Sequence, residues 1–197
     1  KKWIESSMMT RAKVCIVYHG NFNKTFIPVE DNTKLKKRFG IKEKQICIGL
    51  VGEIRPNRGH ELALESLRNV ENAQLLIAGR CKDKAYLALL AERITNYGLG
   101  DRVRLVSKNL TDTEFNEFLA ISDISLLPYK DITTSGALLA SWTVGTPVVA
   151  SRLPYFSEMI KENDNIGQLF DINSSRSLTS PLKEISVGYS HEHWIEK

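Results

Sequence analysis

Long apolar runs, cysteines and nucleotide-loop signatures are all scarce in this sequence, and each scarcity narrows the field. No stretch of 18 apolar residues occurs, so no segment reads as a membrane-spanning helix. The opening Lys1-Lys2-Trp3-Ile4-Glu5 has neither the apolar core of a signal peptide nor an initiator Met, and the chain is expected to be a piece of a longer protein. Only three cysteines are present, Cys15, Cys47 and Cys81, more than 30 residues apart. An odd, scattered set argues against a disulfide framework, and a reducing, cytoplasmic location is expected. The four histidines and three cysteines show no metal-ligand spacing, so no metal is expected. Neither a Walker A lysine motif nor G-x-G-x-x-G is found, which counts against mononucleotide ATPases and dinucleotide enzymes.

The 197 residues are 42% hydrophobic and 25% charged, which fits one ordinary globular domain with a sizeable core. Net charge is +4 but uneven: residues 1–44 carry 11 Lys/Arg against 4 Asp/Glu, and the remainder 16 against 19. The basic run Lys34, Lys36, Lys37 and Arg38 has no interleaved aromatics and no recognised motif, so no nucleic-acid partner is expected. A solvated helix face accounts for most of these charges. Attraction to an anionic membrane surface, and so a peripheral place at the inner face of the membrane, stays open.

Along the chain, short apolar runs alternate with amphipathic stretches. Strands are expected at 14–18, 46–52, 74–79, 103–106, 123–128, 147–150 and 167–170. Helices are expected at 31–39, 60–69, 83–97, from the capping box at 111–114, between the Thr133–Gly136 loop and Gly145, at 154–160 and at 176–186, Pro181 weakening the last. Thr111-Asp112-Thr113-Glu114 is a capping box whose helix should bury Phe115, Phe118 and Leu119. The alternation predicts an α/β fold: a Rossmann-like parallel sheet of about six strands with helices on both faces. Ligands of such sheets sit at the carboxyl ends of the strands. The expected division is a lead-in segment over 1–44, the sheet domain over 45–186 and a tail over 187–197.

Two stretches at those strand ends stand out. Gly52-Glu53-Ile54-Arg55-Pro56-Asn57-Arg58-Gly59 places two arginines three residues apart in a loop after a buried strand. Planar, permanently charged guanidinium forks suit phosphate oxygens. The alternative is two surface arginines paired with Glu53 and Glu61. The second stretch, Thr133-Thr134-Ser135-Gly136-Ala137, leads into an almost wholly apolar helix that stops at Gly145. An apolar helix is buried all round, and its first turn carries unpaired N–H groups and the positive end of the peptide dipoles. The small side chains of Ser135, Gly136 and Ala137 would let an anion approach that backbone. A plain capped core helix is the other reading. His19, His60, His191 and His193 read as structural or solvated rather than catalytic, and Trp142 as core.

The run GEIRPNRG … LLIAGR … DRVRLVSKNLTDTEFNEFLAISDISLLPY … SGALLASWTVGTPVVASRLPYFSEMI … GQLF resembles the C-terminal, donor-binding domain of glycosyltransferase family 4, also called group 1. The likeness spans about residues 45–172 in the order and spacing of all elements, and His19-Gly20 resembles the segment leading out of the acceptor domain. It implies a two-domain GT-B enzyme that retains anomeric configuration, with the nucleotide-sugar on this domain and the acceptor on another. Matched by position, Arg58 stands where the family has a lysine. The family's cation after the strand-end glycine, here Gly52, falls on Glu53, so Arg55 is assigned its place. Ser135, Gly136 and Ala137 match the helix start that meets the donor phosphates. Lys108, Asn109 and Leu110 match the loop that cradles the base, and Gly79 the strand-end glycine near the nucleotide.

One departure stands out. The family's two glutamates, eight residues apart, fall on Ile132 and Ala140. Asp131 is assigned the displaced sugar role, and Thr133 or Thr134 the hydroxyl contacts. The function implied is donor binding, as a UDP- or GDP-sugar with no resident cofactor, in a hexosyltransferase acting on a glycan or lipid-linked acceptor. Arg55 and Arg58 would stabilise the leaving diphosphate, and transfer by this piece alone is not expected. A non-catalytic nucleotide- or sugar-binding module and an epimerase-type enzyme are the rivals.

Overall fold

The computed structural model describes residues 32–161 and 167–188. The expectations for residues 1–30, including the strand at 14–18, Cys15 and His19, and those for His191 and His193 lie outside them. Among the described residues there are six strands: β1 (Ile46–Val51), β2 (Ala73–Gly79), β3 (Val103–Ser107), β4 (Ile124–Leu127), β5 (Val148–Ser151) and β6 (Gly167–Phe170). They alternate with α1 (Asn32–Arg38), α2 (His60–Leu67), α3 (Lys84–Asn96), α4 (Asp112–Ala120), α5 (Gly136–Thr143), α6 (Pro154–Lys161) and α7 (Ser175–Gly188). The strands form one sheet in the order β3-β2-β1-β4-β5-β6, every neighbouring pair parallel.

Burial explains why the strands read as unbroken apolar runs. β2, β4 and β5 are buried at every residue, because helices cover both faces. Alternate residues of β1 enter different layers. Ile48 and Leu50 meet Leu64 and Leu67 of α2, Leu90 of α3 and Leu178 and Leu182 of α7. Cys47 and Val51 meet Phe118 and Leu119 of α4 and Ala140 of α5. A third cluster, under α5 and α6, joins Leu127, Val148 and Ala150 to Leu138, Phe156 and Ile160. Burying a side chain of this size contributes about 1.5–3 kcal/mol, so the sheet is held by its sandwiching helices. The edge strand β3 shows the complementary pattern, with Arg104 and Ser107 exposed.

Residues 32–44, assigned from sequence to a lead-in segment, pack on this sheet. Ile41 is buried, and the Phe39 ring lies 4.4 Å from that of Phe118. Lys36 departs from the expected solvated face. Its Nζ donates to Asp123 at 2.8 Å, and the other oxygen of Asp123 accepts the Cys47 amide at 2.7 Å. The pair is sheltered, and burial with the Asp123 charge pushes the Cys47 thiol up to about 12, which leaves it an inert core group. α7 runs through Pro181, its apolar Leu178 and Leu182 holding it to the sheet despite the missing amide donor. Among the described residues no helix is long and apolar enough to cross a membrane, and no cluster of His, Cys, Asp or Glu is placed to hold a metal.

Candidate functional site

The strand order reverses between β1 and β4, and the loops leaving these two strands meet there. That crevice is where parallel sheets bind ligands. The β1 loop is stapled on both sides. Towards β2, Gly52 N–H donates to Ala78 at 2.9 Å and Ile54 N–H to Arg80 at 2.9 Å. A Cβ on Gly79, at φ 150°, would sit 1.7 Å from the Gly52 carbonyl oxygen. Gly79 therefore permits a backbone approach. Towards β4, a Cβ on Gly59 (φ 72°) would meet the Pro128 carbonyl at 2.0 Å, and Lys130 N–H donates to Asn57 at 2.8 Å.

Between these staples Pro56–Arg58 forms one 3-10 turn. It presents Arg58 over the ring of Tyr129, 4.0 Å from the centroid, an aromatic shelf for the cation. The Arg58 Nη1 atom is buried and has no hydrogen-bond partner. Burial pushes the Tyr129 phenol up, opposed by the Arg58 charge and by a hydrogen bond with Ser135. His60, the first residue of α2, is 2% exposed; burial, with help from the Arg58 charge, holds its ring down to about 4, so it is neutral near pH 7.

Opposite Arg58 stands the start of α5. Ser135 caps it, its Oγ accepting the Leu138 amide at 3.1 Å. The Gly136 and Ala137 amides belong to the first turn, which has no intrahelical acceptors, and no acidic side chain occupies that turn. The helix is less enclosed than its composition predicts. Leu138 to Ser141 are buried and Trp142 to Val144 half-buried, while Gly136 is exposed because the first turn opens onto a cleft.

The cleft measures about 450 Å³. Of the residues singled out from sequence, it brings together Gly52, Arg58, Thr134, Ser135, Gly136 and Ala137. Arg55, Gly79, Lys108, Asn109, Leu110, Asp131 and Thr133 do not line it. Arg55 is 45% exposed and pairs with Glu53 at 3.5 Å, as in the alternative reading of that loop. Its backbone is extended as the residue capping the 3-10 turn, a conformation unlike that of Arg58 within the turn. Lys108 is paired with Glu114, Asn109 and Asp131 are exposed, and Leu110 packs half-buried against the β1–α4 layer. Ile132 packs with the α5–α6 cluster, and Ala140 lines the cleft, so both positions are apolar in place.

The cleft also contains residues not assigned to a site from sequence: Glu53, Asp112, Phe115, Asn116 and Tyr129. Phe115 was expected in the core and is half-buried instead. Asp112, Phe115 and Asn116 share one face of α4 at i, i+3 and i+4, a spacing legible once the capping box is placed at a strand's carboxyl end. The cleft thus has a cationic corner of Arg58 and amide donors, with walls carrying two carboxylates, an amide and two aromatic rings.

The model of the family described as Glycosyl transferases group 1 matches residues 31–196. This chain belongs to that family. The chain is similar to the lipopolysaccharide core biosynthesis mannosyltransferase LpsB of Rhizobium meliloti, 26% identical over 151 residues, covering 74% of this chain and 42% of LpsB. The fold matches Anabaena Alr3699/HepE, solved in complex with UDP and glucose, at a TM-score of 0.76 and 20% identity, over 86% of this chain and 46% of HepE. It also matches the C-terminal domain of the group 1 protein LpcC from Francisella tularensis at a TM-score of 0.75 and 19% identity, over 89% of this chain and 92% of that domain. The chain therefore spans less than half the length of LpsB and HepE and nearly all of the LpcC domain. These likenesses agree with the expected GT-B glycosyltransferase fold.

Proposed function

We propose that this chain is the C-terminal, donor-binding domain of a retaining family 4 hexosyltransferase and that the cleft holds the diphosphate of a UDP- or GDP-sugar. The observation that carries the reading is that Arg58, a permanent cation with one unpartnered donor, and the open first turn of α5 line one cleft. A charge-assisted contact from such a group to a phosphate oxygen is worth about 1.5–3 kcal/mol. Complexes of the HepE fold with UDP and glucose support a ligand of this class.

In transfer, the bond from the sugar's anomeric carbon to the diphosphate breaks and negative charge grows on the leaving phosphate. Arg58 and the α5 amides are fixed before that charge develops, so they stabilise it without reorganising. Arg58 is placed for this by the 3-10 turn and the Tyr129 ring. Arg55 does not line the cleft itself but pairs with Glu53, which does, so its assigned share in holding the diphosphate is the weaker of the two arginines'. The acceptor, a glycan or lipid-linked sugar, would be brought by a second domain, and the enzyme would work in the cytoplasm at the membrane's inner face. Positioning of the acceptor supplies about 7–11 kcal/mol of barrier lowering, so the 197-residue chain alone should bind donor without transferring sugar.

The apolar side chains at 132 and 140 favour one second reading, a binding module without turnover. Titration calorimetry of UDP and GDP with wild type and Arg58→Ala tests the site, with affinity expected to fall about ten-fold or more. Unchanged affinity would refute it. Sugar transfer by the longer protein from which the chain comes separates enzyme from module.

A further inference from the structure

At about 450 Å³ the cleft has the size that encloses a small-molecule ligand, well beyond a diphosphate alone. Its cationic corner is Arg58 with the start of α5. Beyond the Ser135 cap, α5 lines the cleft only with Gly136, Ala137 and Ala140, which have no side-chain polar atom. Polar recognition along this wall therefore falls to α4, which packs beside α5 and brings Asp112, Phe115 and Asn116 to the cleft from one face. Asp112 is exposed, and no ion pair among the described residues engages it. The other carboxylate of the cleft, Glu53, is held by Arg55 at 3.5 Å. Asn116 is a polar side chain only 9% exposed at the cleft wall. Phe115 is half-buried and packs on the layer of Phe118 and Leu119.

We propose that Asp112 and Asn116 recognise the hydroxyls of a sugar ring joined to the diphosphate, with Phe115 against the C–H face of that ring. The role rests on the diphosphate reading of the cleft. An ionised carboxylate only accepts hydrogen bonds, so it answers hydroxyl donors and repels phosphate oxygens. Its two oxygens match two hydroxyls on adjacent carbons, and its charge strengthens both bonds. A carboxamide one helical turn further on both donates and accepts, as each hydroxyl does. The aromatic ring beside them offers an apolar surface to the carbon skeleton. Together the three side chains fit a vicinal diol on a compact ring and fit neither a phosphate nor a wholly apolar group. Such a diol is carried by the ribose of a nucleotide and by the sugar to be transferred.

The sign of one substitution separates this role from general charge. Asp112→Asn keeps the shape and removes the charge at an exposed position. If the carboxylate only set the potential of the cleft, every anionic ligand would bind the variant more tightly. Calorimetry of the 197-residue chain should instead show about ten-fold weaker binding of the sugar-bearing ligands, with pyrophosphate bound no more weakly than by wild type. The ligands are UDP, GDP, UDP-glucose and GDP-mannose. Where the ribose supplies the diol, the loss appears with UDP or GDP and vanishes with the 2′,3′-dideoxy nucleotide. Where the transferred sugar supplies it, the loss appears only with UDP-glucose or GDP-mannose. Asn116→Ala should weaken the same ligands as Asp112→Asn, and Asp112→Asn decides alone if that variant does not fold. Unchanged or tighter binding of all four ligands by Asp112→Asn would overturn the role and leave the diphosphate reading standing. So would an equal loss for pyrophosphate, or a loss of nucleotide binding that persists in the dideoxy form. A wild-type chain that binds neither UDP nor GDP removes the diphosphate reading and this inference with it.

Discussion

Two helix starts border the cleft, and they are built differently. α4 is closed by its own side chains: Thr111 accepts the Glu114 amide at 3.2 Å while Glu114 accepts the Thr111 amide at 3.1 Å. Asp112 lies in the same turn, and Lys108 pairs with Glu114. α5 has a single cap from Ser135 and no acidic residue in its first turn. Both ends carry the same peptide dipoles. At α4 the positive end is answered within the protein, and at α5 it is left for something else. A helix start at a strand's carboxyl end is thus a candidate anion site only where its capping leaves donors over.

The largest effect should come from closing α5 as α4 is closed. Gly136→Asp places a carboxylate at an exposed first-turn position. Like charges brought together cost several kcal/mol, so affinity for UDP or GDP should fall about a hundred-fold. Thermal unfolding should show the fold no less stable, because an acidic group at a helix start is worth about 0.3–1 kcal/mol. Retained binding would mean that the α5 amides do not meet the phosphates.

The two arginines sharpen the same point with a smaller effect. Arg58→Ala should cost about 2 kcal/mol of nucleotide affinity. Arg55→Ala should change it by less than about two-fold, because exposed pairs such as Arg55 with Glu53 contribute about 0–1 kcal/mol. Equal losses in calorimetry would restore Arg55 to the site.

Removing the caps should separate stability from binding. Thr111→Ala and Ser135→Ala should each lower unfolding free energy by about 1 kcal/mol in denaturant titrations. Only Ser135→Ala should also weaken nucleotide binding, by about two- to five-fold, as it loosens the turn that holds the donors.

The smallest effect is a pH response confined to α4. The Lys108 partner, then the Thr111 amide, hold the Glu114 carboxyl below its ordinary value of 4.5. A depressed acid adds stability above its unfolded value and loses it as pH falls through the folded one. Acidification below about pH 4.5 should therefore lower the protection factors of the Thr111 and Glu114 amides, taken relative to their intrinsic exchange rates at each pH. The protection of the Leu138 amide, bound to a serine that does not titrate, should be unaffected.

Much of this architecture was legible because it rests on local rules. Strands buried on both faces had to be apolar throughout, and Thr111 and Glu114 announced their helix by spacing alone. The division between Arg55 and Arg58 was not legible. It depends on one extended residue before the 3-10 turn and on Tyr129, 71 residues from Arg58, supplying the shelf. Phe115 read as core because helical periodicity records an apolar face without recording that a cleft interrupts it. α1 read as a basic helix with a solvated face because Asp123, which receives Lys36, is 87 residues away in sequence.

Asp123 has a kinetic consequence. One carboxylate receives Lys36 from α1 and the Cys47 amide from β1, and stands beside β4, which begins at Ile124. Three segments distant in sequence therefore share one contact, and opening any of them strands a partly buried charge. Such a joint merges neighbouring elements into one cooperative unit. α1, short enough to fray on its own, should exchange its amide hydrogens in step with the central strands, and Asp123→Asn should let it open first.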